Sequence, residues 1–242
     1  MKLTSDICHK VKTLFLLMLL FPALAFGETD LDKVDRLYNK AEKYYSTKKF
    51  EISSKFLLRV LEIQPDHSRS LSLLGDIYLQ REKYDQAESY FLQASEVSDK
   101  PAKEFFRLGQ VQTLKKNAEK AQEYFGKCYK SDAQMKKCLF QRGYVALTLE
   151  RDKARTIEFW EKFLKETPLD RQYDKIKQVL TLLKDPGFEL PPLDSEISLE
   201  EALMLGGKSV KAQEAGTTDI EAGNEKAKTN NQTEGLLDDG GI

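Results

Sequence analysis

The segment Ser72–Ala94 reads SLLGDIYLQREKYDQAESYFLQA and contains two helical patterns in succession. Gly75 lies within the first apolar stripe, and Ala87, Phe91 and Ala94 recur at helical spacing in the second. The polar link QREKYD separates the two patterns. Because neither helix can bury its apolar stripe alone, the segment predicts two helices packed against each other as a hairpin.

The same hairpin recurs along the chain with a step of 34 residues. One column of this alignment contains only small residues, namely Ala41, Gly75, Gly109 and Gly143. The column four residues earlier contains large apolar residues, namely Leu37, Leu71, Phe105 and Leu139. A glycine inside a helix costs about 1 kcal/mol relative to alanine, so glycines in register indicate close helix crossings. In the fourth hairpin the second helix slips by one residue, to Thr156 and Trp160.

At these columns, over residues 34–168, the chain resembles the tetratricopeptide repeat family. The resemblance is carried by LSLLGDIYLQREKYDQAESYFLQA in the second hairpin and FFRLGQVQTLKKNAEKAQEYFGKC in the third. The first hairpin has Lys40 where the family usually has an apolar residue, and the fourth has Arg142 and one inserted residue. The resemblance implies an all-α fold, a right-handed α-solenoid of four hairpins. The alternative is a generic helical bundle.

The N-terminal residues predict a cleaved secretory signal peptide over residues 1–27. Three lysines precede the apolar run TLFLLMLLFPALAF, which ends in small residues. The run is too short to cross the hydrocarbon core of a bilayer, so we expect no stable membrane span after cleavage. The alternative is an uncleaved N-terminal anchor.

The repeats are followed by a predicted capping helix and an acidic tail. In DRQYDKIKQVLTLLK, residues 170–184, apolar side chains share one helical face that can cover the end of the stack. Ser198–Leu205 predicts a short helix, with Ser198 as its cap and Glu201 completing a capping box. Residues 206–242 contain no aromatic residue, and we expect them to be disordered. The predicted domains are therefore 1–27, 28–185 and 186–242.

Charge is distributed unevenly along the chain, which has a formal net charge of −1. Residues 1–27 have a net charge of +2, residues 28–185 have +5 and residues 186–242 have −8. The positive excess is too small and too mixed with acidic residues to indicate nucleic-acid binding. The tail is expected either to be solubilising or to occupy the basic body in cis, which would make it autoinhibitory.

The sequence offers little for catalysis. His67 is the only histidine after the leader, and its position at a hairpin junction indicates a solvated turn residue. No phosphate-binding loop, metal-ligand cluster or nucleophile–base arrangement is recognisable. We therefore expect neither enzyme activity nor a cofactor or metal.

Two cysteines, Cys128 and Cys138, remain after the leader. They lie about equally far from the turn at Asp132–Ala133, and antiparallel helices bring such positions side by side. A disulfide there would contribute ~2–3 kcal/mol. The alternative is that Cys128 only replaces the small residue that Ala94 supplies one repeat earlier.

The resemblance also implies a partner-binding inner face, lined by first-helix residues. The candidate binding residues combine cations with aromatic side chains: Tyr38, Arg69, Lys103, Phe106, Arg107, Lys137, Phe140 and Tyr144. They suit an extended peptide with acidic groups, although ordinary surface residues are the alternative. Lys103 and Arg107 match two of the five positions of the family's carboxylate clamp, and Tyr38, Glu42 and Leu73 do not match the other three.

Taken together, these features predict a non-catalytic protein–protein interaction module of the bacterial periplasm or cell envelope. The expected partner is a protein or peptide docked in the inner groove. The alternative is an architectural subunit of an envelope assembly that uses its stack ends or convex face.

Overall fold

The structure is a computed structural model that describes residues 29–192, 195 and 198–204. Within these residues the chain forms ten α-helices and no β-strand, which confirms the all-α prediction. The predicted signal peptide and the predicted disordered tail, residues 206–242, lie outside the described residues. The chain divides into two compact units, Met1–Gln64 and Pro65–Ile242.

The first unit contains one helical hairpin, α1 (Asp30–Ser46) and α2 (Phe50–Ile63). Helix α1 begins with a capping box, in which Thr29 Oγ1 accepts from Asp32 N and the Asp32 carboxylate accepts from Thr29 N. The small-residue column forms the crossing, because buried Ser53 donates its hydroxyl to Ala41 O at 2.8 Å.

The second unit contains three more hairpins and the C-terminal helices. Their bounds are α3 (Ser68–Gln80), α4 (Tyr84–Val97), α5 (Ala102–Leu114), α6 (Ala118–Ser131), α7 (Lys137–Val145), α8 (Lys153–Glu166), α9 (Tyr173–Lys184) and α10 (Leu199–Met204). A π-helical turn, Ala146–Glu150, directly extends α7. Successive helices pack on one another from α3 to α9.

The three aligned glycines lie at close helix crossings in this unit. A Cβ atom added to Gly75 would lie 2.5 Å from the Phe91 ring, and one added to Gly109 would lie 2.5 Å from the Phe125 ring. Gly143 faces the Trp160 ring in the same way. The prediction that small residues permit close crossings is therefore confirmed, and the large ring at each crossing is fully buried.

The turn between the two helices of each hairpin is reached through one residue in the left-handed region. These residues are Lys48, Glu82, Lys116 and Arg151, with φ between 55° and 58°. In the first three hairpins the backbone N–H of the next residue bonds to a carbonyl five residues earlier, as in Asn117 N to Gln112 O at 2.8 Å. In the fourth, Asp152 N bonds to Ala146 O, six residues earlier, at 2.9 Å. The π-helical turn therefore absorbs the inserted residue that causes the sequence slip.

His67 does not have the solvated position that the sequence indicates. It is buried and forms the N-cap of α3, where Nδ1 accepts from Ser70 N at 3.2 Å and lies 2.8 Å from Ser70 Oγ. A buried cap satisfies a backbone donor that the helix itself cannot satisfy, which explains this position structurally.

The C-terminal helices cover the fourth hairpin. Helix α9 buries Ile176, Val179, Leu180 and Leu183, as predicted. Ser198 Oγ accepts from Glu201 N at 3.1 Å at the start of α10. Phe188, Leu199 and Leu203 join the same apolar core, so the core extends past the predicted domain boundary at Asp185. Among the described residues, no helix has the length and apolar character needed to span a bilayer.

Candidate functional site

The predicted binding residues of the second unit follow the first helices of its hairpins. Arg69 lies on α3, Lys103 on α5 and Lys137 on α7, and all three side chains are exposed. Tyr38 belongs to the first unit, where it is buried and donates its hydroxyl to Glu42 Oε1 at 3.0 Å. Its predicted role as an exposed contact is wrong, because its ring belongs to the core of α1 and α2.

Arg107 is not an open cation. Its Nε lies 2.9 Å from Asp76 Oδ1, without good hydrogen-bond geometry, and its Nη1 donates to Gln110 Oε1 at 3.0 Å. The side chain is 15% exposed and that of Asp76 only 7%. Burial nevertheless raises the pKa of Asp76, against the opposing effect of Arg107 and Lys103. The prediction that Arg107 supplies charge to a partner is therefore corrected: its charge is already compensated within the protein.

Two predicted aromatic contacts, Phe106 and Phe140, are 5% exposed each. Phe106 meets Phe125 edge-on with ring centroids 5.6 Å apart, and Phe140 stacks on Trp160 at 5.7 Å. They can therefore supply little of the contact area expected of partner-binding residues, because packing against the second helices takes most of their surface. Tyr144 is half-buried and packs against the core around α8 and α9.

The remaining edges of Phe106 and Phe140 face a cavity of about 560 Å³. Phe163 and Met135 contribute further apolar surface. Polar and charged side chains complete the lining: Gln134, Lys136, Lys137, Gln141, Thr167, Asp170, Arg171 and Gln172. The cavity therefore combines an apolar part, which we call the floor, with a polar part, which we call the rim and which contains three cations and one carboxylate.

The cations on this rim differ in their surroundings. Lys136 Nζ lies 2.6 Å from Glu166 Oε2, and this hydrogen bond raises the pKa of Lys136. Lys137 Nζ lies 4.1 Å from the centroid of the Phe106 ring, within cation–π range. Although Lys137 is exposed overall, desolvation by the surrounding protein lowers its pKa, and the like charges of Arg107 and Lys103 lower it further. A carboxylate placed beside Lys137 would relieve this electrostatic penalty.

Cys128 and Cys138 form a disulfide in the structure, with their Cα atoms 6.2 Å apart. Both residues are fully buried in a cluster with Phe106 and Phe125. The bond joins the C-terminal part of α6 to the start of α7, across the turn from which its placement was predicted.

Sequence reasoning identified three of the twelve residues that line this cavity, namely Phe106, Lys137 and Phe140. Residues 134–136 lie in the α6–α7 connection and residues 167–172 in the α8–α9 connection, which carry no repeat signal. The lysine pair Lys136-Lys137, directly before Cys138, is the sequence feature that could have indicated this part of the cavity. In the described part of the chain, no group of His, Cys, Asp and Glu side chains could hold a metal ion.

Family comparison agrees with this architecture. Models of the tetratricopeptide repeat match residues 33–100 and residues 105–135. No curated protein sequence matches the chain significantly.

Solved structures with similar folds include MamA, YrrB and a mutant O-GlcNAc transferase from Thermobaculum terrenum. MamA is 15% identical with a TM-score of 0.56, covering 63% of this chain and 81% of its own. YrrB, described as a TPR protein with an unusual peptide-binding site, is 16% identical with a TM-score of 0.52, covering 74% and 89%. The transferase is 17% identical with a TM-score of 0.53, covering 58% of this chain and 27% of its own.

These structural matches show a shared fold. The repeat matches together with the successive hairpins show that residues 33–100 and 105–135 are tetratricopeptide repeats, which generally mediate protein–protein binding.

Proposed function

We propose that this protein docks a partner through an extended peptide segment that places an apolar side chain in the cavity and a carboxylate beside Lys137. The observation that carries the proposal is the position of Lys137 Nζ, 4.1 Å from the Phe106 ring at the rim of the cavity. An apolar floor and a cation at one site suit a segment in which an acidic residue neighbours a large apolar residue.

The size of the cavity supports this kind of partner. At about 560 Å³ it lies within the 300–1,000 Å³ typical of sites for compact ligands, and it can accept one or two large side chains. Leu169, in the adjacent α8–α9 connection, is 97% exposed and offers further apolar surface outside the cavity. A protein segment can use both surfaces at once, which a small polar metabolite cannot.

We place this activity in the bacterial periplasm or cell envelope. The support is the predicted signal peptide together with the buried cysteine pair, because disulfides persist in oxidising compartments. Fractionation of cells that express the full chain tests this placement. Recovery of a shortened chain with the envelope fraction is expected, and recovery of the uncleaved chain with the cytosol would contradict it.

The docking proposal is tested by selecting random dodecapeptides displayed on phage against the full chain. We expect enrichment of Asp or Glu next to Leu, Phe or Met, and binding should change the fluorescence of Trp160, the only tryptophan. Lys137→Glu should weaken the selected peptide roughly tenfold or more, since it replaces attraction by repulsion.

Lys177→Glu is the matched control, because it reverses an exposed lysine on α9 that does not line the cavity. The control should bind like the wild type. Equal binding by Lys137→Glu, or a selection that enriches no common pattern, would overturn the proposal. Intact envelope assembly with Lys137→Glu would instead favour an architectural role through other surfaces.

A further inference from the structure

One wall of the cavity lies within the loop that the disulfide closes. Cys128 and Cys138 are 10 residues apart in sequence, and four lining residues fall between them: Gln134, Met135, Lys136 and Lys137. Lys137 directly precedes Cys138, so its backbone is joined to a residue that is fixed in the core.

We propose that the Cys128–Cys138 disulfide is a positioning element of the docking cavity, so that the oxidised chain is the form competent to bind a partner. The inference rests on the proposed function, since it concerns the same cavity. In the dithiol form, residues 134–137 sample more conformations, and Lys137 spends less time at the rim beside Phe106.

The hydrogen bonds of this loop explain why loss of the disulfide should strongly affect its conformation. Asp132 N bonds to Cys128 O at 3.0 Å, Met135 N to Asp132 O at 3.1 Å and Cys138 N to Met135 O at 3.0 Å. Gln134 N also bonds to Asp132 Oδ1 at 2.8 Å. These are local bonds on a surface turn, where water competes with each of them. The disulfide is a covalent crosslink that joins the two ends of this turn within the core around Phe106.

Packing connects the disulfide to the cavity floor as well. Phe106 contacts the buried cluster that contains both cysteines, and the same ring lines the cavity beneath Lys137. Met135 packs against that cluster from the loop side. Loss of the crosslink therefore loosens the wall and its contact with the floor together.

The repeat supplies a matched pair of substitutions. At the equivalent positions of the second hairpin the chain has Ala94 for Cys128 and Ser70 for Cys138, both fully buried. The double variant Cys128→Ala/Cys138→Ser thus uses residues that this fold already accepts there. Reduction of the wild type by a dithiol gives the same form chemically: the S–S bond breaks, each cysteine gains a proton and an electron, and the reductant becomes a disulfide.

The experiment compares the full oxidised chain with the double variant. One readout is the Kd for the peptide selected from the phage library, and the other is hydrogen exchange of the amides of residues 133–137. We expect binding to weaken roughly tenfold, which corresponds to about 1.4 kcal/mol. The amides of residues 133–137 should exchange faster by a larger factor than those of α3 and α4, which change only through the global loss of stability.

Leu74→Ala controls for global stability. It removes a fully buried side chain of α3 that does not line the cavity, and its stability cost is comparable to that of losing a disulfide. It should keep the wild-type Kd at temperatures where it is folded. A double variant with wild-type Kd and wild-type exchange in residues 133–137 would overturn the inference and leave the disulfide a purely stabilising role. If the library yields no peptide, the proposed function fails, and the exchange rates still decide whether the disulfide fixes the wall.

Discussion

The third and fourth hairpins are built on the same repeat but differ at three places. The third has a regular turn through Lys116, and its inner-face cation Arg107 is paired with Asp76. The fourth has a π-helical turn, a disulfide at its entrance and the lysine that caps the cavity rim. The π-helical turn and the disulfide are therefore departures from the repeat at the hairpin that contributes Lys137 to the proposed docking cavity, whereas Lys137 itself keeps the cation that Lys103 supplies one repeat earlier.

The π-helical turn is the clearest of these departures. A single-residue deletion in each hairpin tests whether the turn only accommodates one inserted residue. Deleting Thr148 would restore the 34-residue register, because Leu149 would then align with Leu114 and Arg151 with Lys116. Deleting Leu114 would instead shift α6 by one residue relative to α5. Leu114 is 49% exposed, so its own side chain contributes little to the core.

Urea unfolding should show a large difference in the free energy of unfolding between the two deletion variants. We expect the Leu114 deletion to cost about 3 kcal/mol or more, because it takes buried side chains out of register. The Thr148 deletion should change the free energy of unfolding by no more than about 1 kcal/mol. Equal costs would show that the π-helical turn is not an inserted residue in an otherwise regular hairpin.

The close helix crossings of the third and fourth hairpins should also differ in their tolerance of an added methyl group. Gly109→Ala and Gly143→Ala should each destabilise by about 2 kcal/mol, because the new methyl group overlaps a buried ring. We expect Gly143→Ala to cost more, since Trp160 Nε1 donates to Phe140 O at 3.0 Å and the indole cannot move without losing that bond.

Gly126→Ala serves as the control, since its nearest neighbour, Arg142, would lie 4.0 Å from the added Cβ. It should stabilise the protein by about 0.5–1 kcal/mol through helix propensity. Thermal or urea unfolding of the three variants measures these values. A Gly109→Ala variant as stable as Gly126→Ala would contradict the close-crossing explanation.

These crossings were readable from the sequence, whereas the cavity was not. A glycine column and a ring column at a fixed step leave few packing solutions, so the hairpins follow from the sequence pattern. The inner-face residues were also assigned to the right helices. Tyr38, Phe106 and Phe140 offer less contact area than expected, and Arg107 less free charge. Both depend on contacts with neighbouring side chains that periodicity does not report.

The pair formed by Asp76 of the second hairpin and Arg107 of the third predicts a smaller, pH-dependent effect on stability. Asp76→Asn should change the free energy of unfolding by less than about 1 kcal/mol at low pH, because the carboxyl is protonated there and the amide replaces one neutral group by another. Lys137→Gln, at the exposed rim, should change stability by less than about 0.5 kcal/mol.

The pH dependence follows from the raised pKa of Asp76. The folded protein retains this proton at pH values where the unfolded chain, with the ordinary value of 3.8, has lost it. Wild-type stability therefore falls relative to the Asn variant as pH rises from about 4 through the folded pKa. Urea unfolding of both proteins from acidic to neutral pH measures the difference in their free energies of unfolding. A wild type that gains stability relative to the Asn variant as pH rises would contradict this prediction.

The smallest expected effect is electrostatic coupling along the inner face. Lys103→Gln should raise the pKa of Lys137, because it removes one of the like charges that lower it. Arg69→Gln removes a charge that does not contribute to this shift and should leave the pKa of Lys137 in place. NMR titration of the Lys137 side chain distinguishes the two, and identical titration curves in both variants would exclude this coupling.

Photo-cross-linking can locate the proposed docking site, which we place in the cavity at the fourth hairpin. The phage-selected peptide, carrying a photoreactive group at its apolar position, is irradiated with the full oxidised chain and mapped by mass spectrometry. We predict cross-links to residues 134–141 and 163–172. Cross-links confined to α3, α4 or the first hairpin, with none at those positions, would contradict the account.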